Sequence, residues 1–289
     1  MISFNQDKQA PVILACNHPN SFLDALIIGS YYKHPVHFLA RGDVFSKPLV
    51  NRLLRAINMI PVYRITEGRE QLKHNEGTFE ECLNILEKDG TVLIFSEGVC
   101  KNEYTLRPLK KGTARLAYMA WYDKKINSMS IHPVSISYSS FTKVPIVACI
   151  KQGKSITQDD VAAKQAAQFY QEFNHTTSEQ LKKNLLSEEE MQDLALAKRQ
   201  INQVFLAIPA FIGWLTHKSY YNFVRDYARR KTAGTVFYHS VLFGLLLITY
   251  PFVILLLTTL LVLITHMLLC WLLLFLLPFT AWCYKEYKS

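Results

Sequence analysis

The stretch Pro11-Val-Ile-Leu-Ala-Cys-Asn-His-Pro-Asn-Ser-Phe-Leu-Asp24 decides the fold of this chain. Its first six residues are apolar and partly β-branched, which is typical of a buried strand. The apolar run resumes at Phe22 and predicts a helix packed on that strand. His18 then lies at the carboxyl end of the strand, where α/β sheets place their ligands, and Asp24 lies in the first turn of the helix.

The pairing of His18 with Asp24 predicts general-base chemistry. A carboxylate beside a histidine fixes the imidazole tautomer, as the base and its orienting carboxylate do in a catalytic triad. The stretch contains no matching nucleophile, so we expect the attacking hydroxyl to belong to a substrate. Two structural alternatives stay open. Ser21-x-x-Asp24 also fits a helix capping box, and a histidine near a turn is commonly a surface or core residue.

Strand and helix patterns alternate through the first 150 residues, which predicts an α/β fold with a largely parallel sheet flanked by helices. We expect this domain to cover residues 1–153. After the first strand and helix, the patterns predict strands at 36–40, 60–64, 91–95, 130–137 and 145–150, and helices at 47–57, 75–88 and 111–121.

Residues 154–203 are rich in Gln, Glu, Lys and Ala, which predicts a solvent-facing helical appendage without chemistry of its own. Thr157-x-x-Asp160 and Ser187-x-x-Glu190 fit helix capping boxes within it. Residues 204–234 combine an apolar run too short to span a membrane with aromatic and basic residues. This composition predicts a segment at the bilayer interface.

Residues 235–283 contain no Asp, Glu, Lys or Arg. Because one membrane-spanning helix needs about 20 apolar residues, the segment predicts a helical hairpin with spans at 235–257 and 260–283. Basic residues flank both ends, so we expect an integral membrane protein with its catalytic domain in the cytoplasm. These flanking residues are Arg225, Arg229, Arg230, Lys231, Lys285 and Lys288.

The formal net charge of +9 would suit nucleic acid or an anionic lipid surface. No recognisable nucleic-acid motif accompanies this charge, and its densest cluster precedes the first predicted span. We therefore expect membrane lipids as partners and no nucleic acid. The six cysteines lack paired or metal-ligand spacing, which predicts reduced thiols, and the first residues do not resemble a signal peptide.

A second carboxylate, Glu97, follows the strand predicted at 91–95, and Gly98 beside it allows a ligand to approach the backbone closely. Downstream cations precede Gly112, where a helix opens, and cations beside a helix amino terminus suit phosphate binding. Each charge taken singly could instead belong to a solvated face. The predicted phosphate-binding cations are Arg64, Arg107, Lys110 and Lys111.

Four ordered blocks resemble the glycerophospholipid acyltransferases: residues 18–24, Ile60-Pro-Val-Tyr-Arg64, Phe95-Ser-Glu-Gly98 and Ile131-His-Pro-Val134. The resemblance covers roughly residues 10–140. The wording of the first block is nearest to the fungal-type glycerol-3-phosphate acyltransferases and their bacterial relatives. Leu106-Arg-Pro-Leu-Lys-Lys-Gly-Thr-Ala-Arg115 is also similar to that branch.

The resemblance implies an acyltransferase of phospholipid biosynthesis that needs no metal and no cofactor. Its donor would be acyl-CoA or acyl carrier protein, and its acceptor glycerol-3-phosphate or 1-acylglycerol-3-phosphate. A remodelling acyltransferase or transacylase acting on lysophospholipids, and a non-catalytic lipid-binding membrane scaffold, remain alternatives. The implied site has His18 and Asp24 as catalytic residues, with Asn20, Arg64, Ser96, Glu97, Gly98, Arg107 and Lys110 binding substrate.

Two departures from the family pattern bear on this site. The family places four residues between its histidine and aspartate, whereas this chain has five. Because six steps along one helix turn through about 600°, His18 must precede the helix for the pair to meet. The family's Phe-Pro-Glu-Gly-Thr-Arg is Phe-Ser-Glu-Gly-Val-Cys here. We therefore expect Lys101, Arg107 or Lys110 to replace the missing arginine at the phosphate.

Overall fold

The computed structural model describes residues 2–4, 10–63, 73, 75–162, 165–198 and 203–288. The chain divides into two compact units. The division predicted from the sequence, into residues 1–153, 154–203, 204–234 and 235–283, remains a prediction. The first unit comprises Met1–Pro19, Asp24–Ser137 and Ala148–Ser187, and the second comprises Asn20–Leu23, Tyr138–Val147 and Glu188–Ser289.

One sheet contains the strands of the described residues, in the order β1-β7-β6-β2-β5-β3-β4. The pairs β1–β7, β2–β5, β2–β6, β3–β4 and β3–β5 are all parallel, which confirms the predicted α/β class. The strands are β1 (Ile2–Ser3), β2 (Val12–Cys16), β3 (Val36–Arg41), β4 (Met59–Val62), β5 (Thr91–Phe95), β6 (Ser130–Tyr138) and β7 (Ala148–Gln152).

The first strand of the deciding stretch, β2, lies at the centre of the sheet between β5 and β6. All five of its residues are buried, as expected for a strand covered on both faces. The neighbouring β5 has four buried residues and matches the predicted strand at 91–95. The helices around the sheet are α1 (Phe22–Tyr31), α2 (Pro48–Ala56), α3 (Asn75–Leu86), α4 (Lys111–Tyr118) and α5 (Ala166–Asn184).

Helix α5 corrects the prediction of a purely solvent-facing appendage. Phe169 and Phe173 are fully buried and join the core beside Trp121. The ring centroids of Phe169 and Phe173 lie 5.8 Å apart in a stacked pair. One stripe of α5 therefore packs into the core beside α4, although the average composition of the segment is polar. The capping box of Thr157 and Asp160 is confirmed just before this helix.

The second unit is helical over most of its length. Where an interfacial segment was predicted, α7 (Gln203–Lys231) runs as one continuous helix. It packs closely on α9 (Leu273–Lys288). The two helices approach so closely at Gly213 that a Cβ there would lie 2.0 Å from the carbonyl oxygen of Thr280. Only glycine permits that approach. The remaining helices of this unit are α6 (Glu188–Lys198) and α8 (Tyr238–Thr265).

Two helical stretches, Tyr238–Thr265 and Leu268–Tyr287, are long and apolar enough to cross a membrane. The turn between them falls later than predicted. Helix α8 continues through Thr259, whose hydroxyl donates to the carbonyl of Leu255 at 2.8 Å, so this polar group is satisfied inside the helix. The helix ends at Thr265, and the C-cap residue His266 takes a left-handed conformation with φ of 55°.

Candidate active site

The first block places His18 and Asp24 in direct contact. His18 lies two residues beyond β2, and Asp24 lies in the first turn of α1, as predicted. Nδ1 of His18 is 2.8 Å from Oδ2 of Asp24. The Asp24 side chain is fully buried, whereas 14% of the His18 side chain is exposed. The pair can therefore present the remaining ring nitrogen, Nε2, to a ligand.

The turn between these residues carries unusual backbone geometry. Ser21 has φ of 55°, in the left-handed region that non-glycine residues seldom adopt. An N-cap residue normally has an extended backbone, so this conformation does not favour the capping-box alternative for Ser21. Strained residues of this kind concentrate at functional sites.

Strand register brings Glu97 to His18. The paired ends of β2 and β5 are Cys16 and Phe95, and the two functional residues each follow their strand end by two positions. The backbone N–H of His18 donates to Oε1 of Glu97 at 2.9 Å. The imidazole also stacks on the ring of Phe95, with centroids 3.8 Å apart and an angle of 11° between the planes. These contacts fix both the backbone and the ring of His18.

Burial dominates the electrostatics of Glu97. It raises the pKa of this carboxyl above its ordinary value, because the charged form loses hydration. Hydrogen bonds from the backbone N–H groups of His18 and Arg107 oppose the rise in pKa, as do the charges of these two residues. Glu97 is thus a buried carboxylate held in place by neighbouring donors.

Replacing Glu97 by glutamine should change the pH dependence of stability. The raised pKa means that the folded wild type binds more protons than the unfolded chain above the ordinary glutamate pKa of about 4.3. The contribution of the Glu97 carboxyl to the stability of the wild type is therefore fully present below that value. This contribution is lost as pH rises through the pKa of Glu97 in the folded state. Glu97→Gln lacks this loss, so its melting temperature relative to wild type should rise between about pH 4 and about pH 7.

Thermal unfolding of both proteins across that pH range tests the prediction. Glu179→Gln, at an exposed carboxylate on α5, is the matched control and should show no such trend. A melting difference for Glu97→Gln that falls with pH would show that the hydrogen bonds, and not burial, dominate at this carboxyl.

The loop after β5 closes against the histidine turn. The backbone N–H of Lys101 donates to the carbonyl of His18 at 3.2 Å, and Nδ2 of Asn102 donates to the carbonyl of Pro19 at 2.7 Å. Ser96 is buried, and its hydroxyl lies 2.9 Å from that of Thr113 in α4. The predicted third block is therefore part of the same cluster as the first.

Gly98 and Lys110 meet at the start of α4. Gly98 has φ of 68°, and a Cβ there would lie 2.9 Å from Cγ of Lys110. The backbone N–H of Lys110 donates to the carbonyl of Ser96 at 2.7 Å. Arg107 reaches the same place through its backbone N–H, which donates to Glu97. Of the predicted phosphate-binding cations, Arg107 thus borders the carboxylate of Glu97 and Lys110 borders Gly98.

Two further predicted binding residues are Arg64 and Asn20. Arg64 falls outside the described residues. Asn20 belongs to the second unit, where its Nδ2 lies 3.1 Å from Nδ1 of His239. In that unit the hydroxyl of Ser240 also accepts the backbone N–H of Leu23 at 3.2 Å. The role of Asn20 in binding substrate stays a prediction.

Cys100 joins the catalytic pair. One ligand atom from each of His18, Asp24 and Cys100 lies within 4.8 Å of the others, so these three side chains could hold a metal ion. Nitrogen, oxygen and sulfur donors together match the preferences of zinc. In the sequence, Cys100 is only the residue that replaces the family's arginine. Its closeness to His18 is a finding of the structure.

Alkylation of Cys100 should block the site. N-ethylmaleimide would attach beside His18 and exclude a ligand from Nε2, so activity should fall in step with labelling of this partly exposed thiol. Burial raises the pKa of Cys16 and brings that of Cys82 to about 12, so both should react slowly. Measured activity and mass-spectrometric labelling should follow the same time course.

Two serine variants show whether inactivation comes from Cys100 or from another thiol. Cys100→Ser should resist the reagent, and Cys270→Ser, which removes another partly exposed thiol, should stay sensitive. Inactivation of Cys100→Ser at the wild-type rate would exclude this thiol as the cause.

Sequence reasoning missed several residues that shape the site. Asn17 exchanges two hydrogen bonds with the backbone of Ile136, at 3.0 and 2.8 Å, and so ties the histidine turn to β6. The sequence places Phe95 at a strand end and in the third block but predicts no contact with the histidine. It predicts no role for Thr113 or Asn102. A predicted β2–β5 register could have found Phe95, but the other contacts depend on the loop conformation.

Known proteins share sequence features with residues 3–137 of this chain. The family model described as Acyltransferase matches residues 3–137. The chain is 26% identical over 113 residues to the chloroplastic 1-acyl-sn-glycerol-3-phosphate acyltransferase BAT2 of Brassica napus, and the match covers 38% of this chain. The chain spans only 30% of the length of that curated relative.

Among solved structures, the chain resembles PlsC, the 1-acyl-sn-glycerophosphate (LPA) acyltransferase from Thermotoga maritima. The two are 18% identical, and the aligned region covers 63% of this chain and 67% of that chain with a TM-score of 0.44. Residues 3–137 thus carry the sequence pattern of the acyltransferase family. The fungal-type branch expected from the wording of the first block stays a prediction.

Proposed function

We propose that this protein transfers a fatty acyl group to the hydroxyl of 1-acylglycerol-3-phosphate or glycerol-3-phosphate. The observation that carries the proposal is the 2.8 Å contact of a partly exposed His18 with the fully buried Asp24. The family match of residues 3–137 supports the reaction class, and the name of the Brassica napus relative supports the acceptor class.

The proposed chemistry is direct transfer from a thioester. The Asp24 carboxylate accepts a hydrogen bond from Nδ1–H of His18, which leaves Nε2 free to take the proton of the acceptor hydroxyl. The hydroxyl oxygen attacks the thioester carbonyl carbon. Collapse of the tetrahedral intermediate forms the ester and breaks the carbon–sulfur bond, and the leaving thiolate takes the proton back from the imidazolium. No acyl-enzyme is needed.

We assign the phosphate of the acceptor to Arg107 and Lys110. Arg107 borders Glu97 and Lys110 borders Gly98, and Lys110 stands at the N-cap of α4, where backbone N–H groups add to its charge. Arg64 is a further candidate on sequence grounds. The donor is expected to be acyl-CoA or acyl carrier protein, since either presents a thioester.

Membrane insertion of the helices at 238–265 and 268–287 would hold the site near its lipid acceptor. Their length and apolar composition support this placement. The basic residues that flank them support a cytoplasmic first unit, by the positive-inside rule.

A substrate panel tests the proposal. Purified, detergent-solubilised protein is given a labelled acyl donor, as acyl-CoA or acyl carrier protein, with glycerol-3-phosphate, 1-acylglycerol-3-phosphate or lysophosphatidylcholine. We expect labelled product with a phosphomonoester acceptor, and a rise in KM for that acceptor in Lys110→Ala. Turnover only with lysophosphatidylcholine would favour the remodelling alternative. No turnover with either donor and any acceptor, from folded protein, would overturn the proposal.

A further inference from the structure

Helix α2 of the first unit presents its apolar side outward. It follows a short 3₁₀ turn, and none of its residues is buried. The exposed fractions are 81% for Leu49, 64% for Leu53 and 46% for Ile57. At about 100° per residue these three side chains fall within an arc of about 80°. A helix at the surface of a water-soluble domain normally turns such a stripe towards the core.

Polar side chains of the same helix contact the rest of the first unit, although they are themselves exposed. Arg55 pairs with Glu81 of α3, and its guanidinium carbon lies 5.9 Å from the ring centroid of Phe45. Asn51 lines a cavity together with Arg55 and Tyr63. These contacts and the partly buried Leu54 hold the helix on the first unit, while Leu49 and Leu53 stay exposed.

Two cations adjoin the apolar stripe. On the helical wheel Arg52 falls about 60° to one side of Leu49, and Lys47 is the N-cap residue that immediately precedes the helix. Within the described ranges neither cation forms an ion pair. Val44, 44% exposed in the preceding 3₁₀ turn, adds to the apolar surface. An apolar face edged by lysine and arginine is the pattern of a helix that lies in the plane of a bilayer.

We propose that α2 is an interfacial membrane helix that docks the catalytic unit on an anionic lipid surface. Leu49, Leu53 and Ile57 would enter the acyl boundary, while Lys47 and Arg52 would contact anionic headgroups. Each such cation contributes about fivefold to partition onto an anionic surface. The inference rests on the proposed membrane location of the protein and not on its acyl-transfer activity.

Fluorescent labelling of the full chain tests the position of this face. A cysteine is introduced by Leu53→Cys in a Cys100→Ser, Cys270→Ser background and labelled with a polarity-sensitive nitrobenzoxadiazole dye. The protein is placed in nanodiscs of phosphatidylcholine, with or without phosphatidylglycerol. The matched control is Glu179→Cys on α5, because its side chain is 66% exposed and so resembles Leu53.

In nanodiscs, the label at residue 53 should emit at a shorter wavelength than the label at residue 179. It should also be quenched by brominated lipid acyl chains. Phosphatidylglycerol should strengthen both effects, and Lys47→Ala with Arg52→Ala should remove that increase. Emission and quenching equal to those of the Glu179→Cys label would overturn the proposal. The readout does not involve turnover, so failure of the proposed reaction leaves it interpretable.

A second copy of the chain would also hide the stripe from water. In lipid-free detergent, a blue-shifted label together with a doubled protein mass by light scattering would assign the face to self-association and overturn the lipid assignment. A monomer whose label shifts only when lipid is added supports it.

Discussion

Replacing His18 by alanine should lower the rate of acyl transfer by about 10²- to 10⁴-fold, the usual contribution of a general base. The variant keeps the sheet, because β2 is held by backbone pairing to β5 and β6 and not by the imidazole. It does lose the stacking on Phe95, so its melting temperature should fall slightly. Turnover is measured with saturating donor and acceptor, and folding by thermal unfolding.

His37→Ala is the matched control. His37 lies on β3, where its Nδ1 is 3.3 Å from the carbonyl oxygen of Thr91, and it belongs to no part of the proposed site. It should lose at most a small fraction of its activity. Undiminished acyl transfer by folded His18→Ala would remove the proposed mechanism.

Replacing Asp24 by asparagine should be nearly as severe, with a fall in kcat of up to about 10⁴-fold, as for the orienting carboxylate of a serine-protease triad. An amide can donate its N–H to Nδ1 and so place the ring proton on Nε2, which is then no longer a base. The negative charge that would stabilise the imidazolium is also gone. Since Asp24 acts through His18, KM for the acceptor should change much less than kcat.

The folded state of Asp24→Asn should persist, because asparagine is similar in size and removes a fully buried charge. Asp160→Asn supplies the control, since that carboxylate accepts the backbone N–H of Thr157 at 2.8 Å in a capping box away from His18. It should lower the melting temperature without lowering kcat. A loss confined to KM in Asp24→Asn would contradict an orienting role.

Much of the sheet could be predicted because its strands are short apolar runs with clear ends. The strand at 91–95 has the predicted bounds, set by Gly90 before it and the polar Ser96 after it. The catalytic pair was also predictable, since one strand end and one helix start fix where His18 and Asp24 lie. Proximity along the chain made this the easy part of the site.

Contacts made across the sheet were harder. The hydrogen bond from His18 to Glu97 depends on the β2–β5 register, which a single sequence does not specify. The inward stripe of α5 was hidden because Phe169 and Phe173 are diluted by polar neighbours in the segment average. The late end of α8 was missed because the hydroxyl of Thr259 bonds within the helix, so its polarity does not mark a turn.

The central strand β2 should open to solvent less readily than the edge strands β1 and β4. His18 takes its position from β2, which is hydrogen-bonded along both sides. Local opening of a protein generally begins at termini and loops, and core strands open only with the whole fold. Amide hydrogens of β2 should therefore exchange at the rate of global unfolding. The strand that leads to the base would keep its position through any partial opening that spares the middle of the sheet.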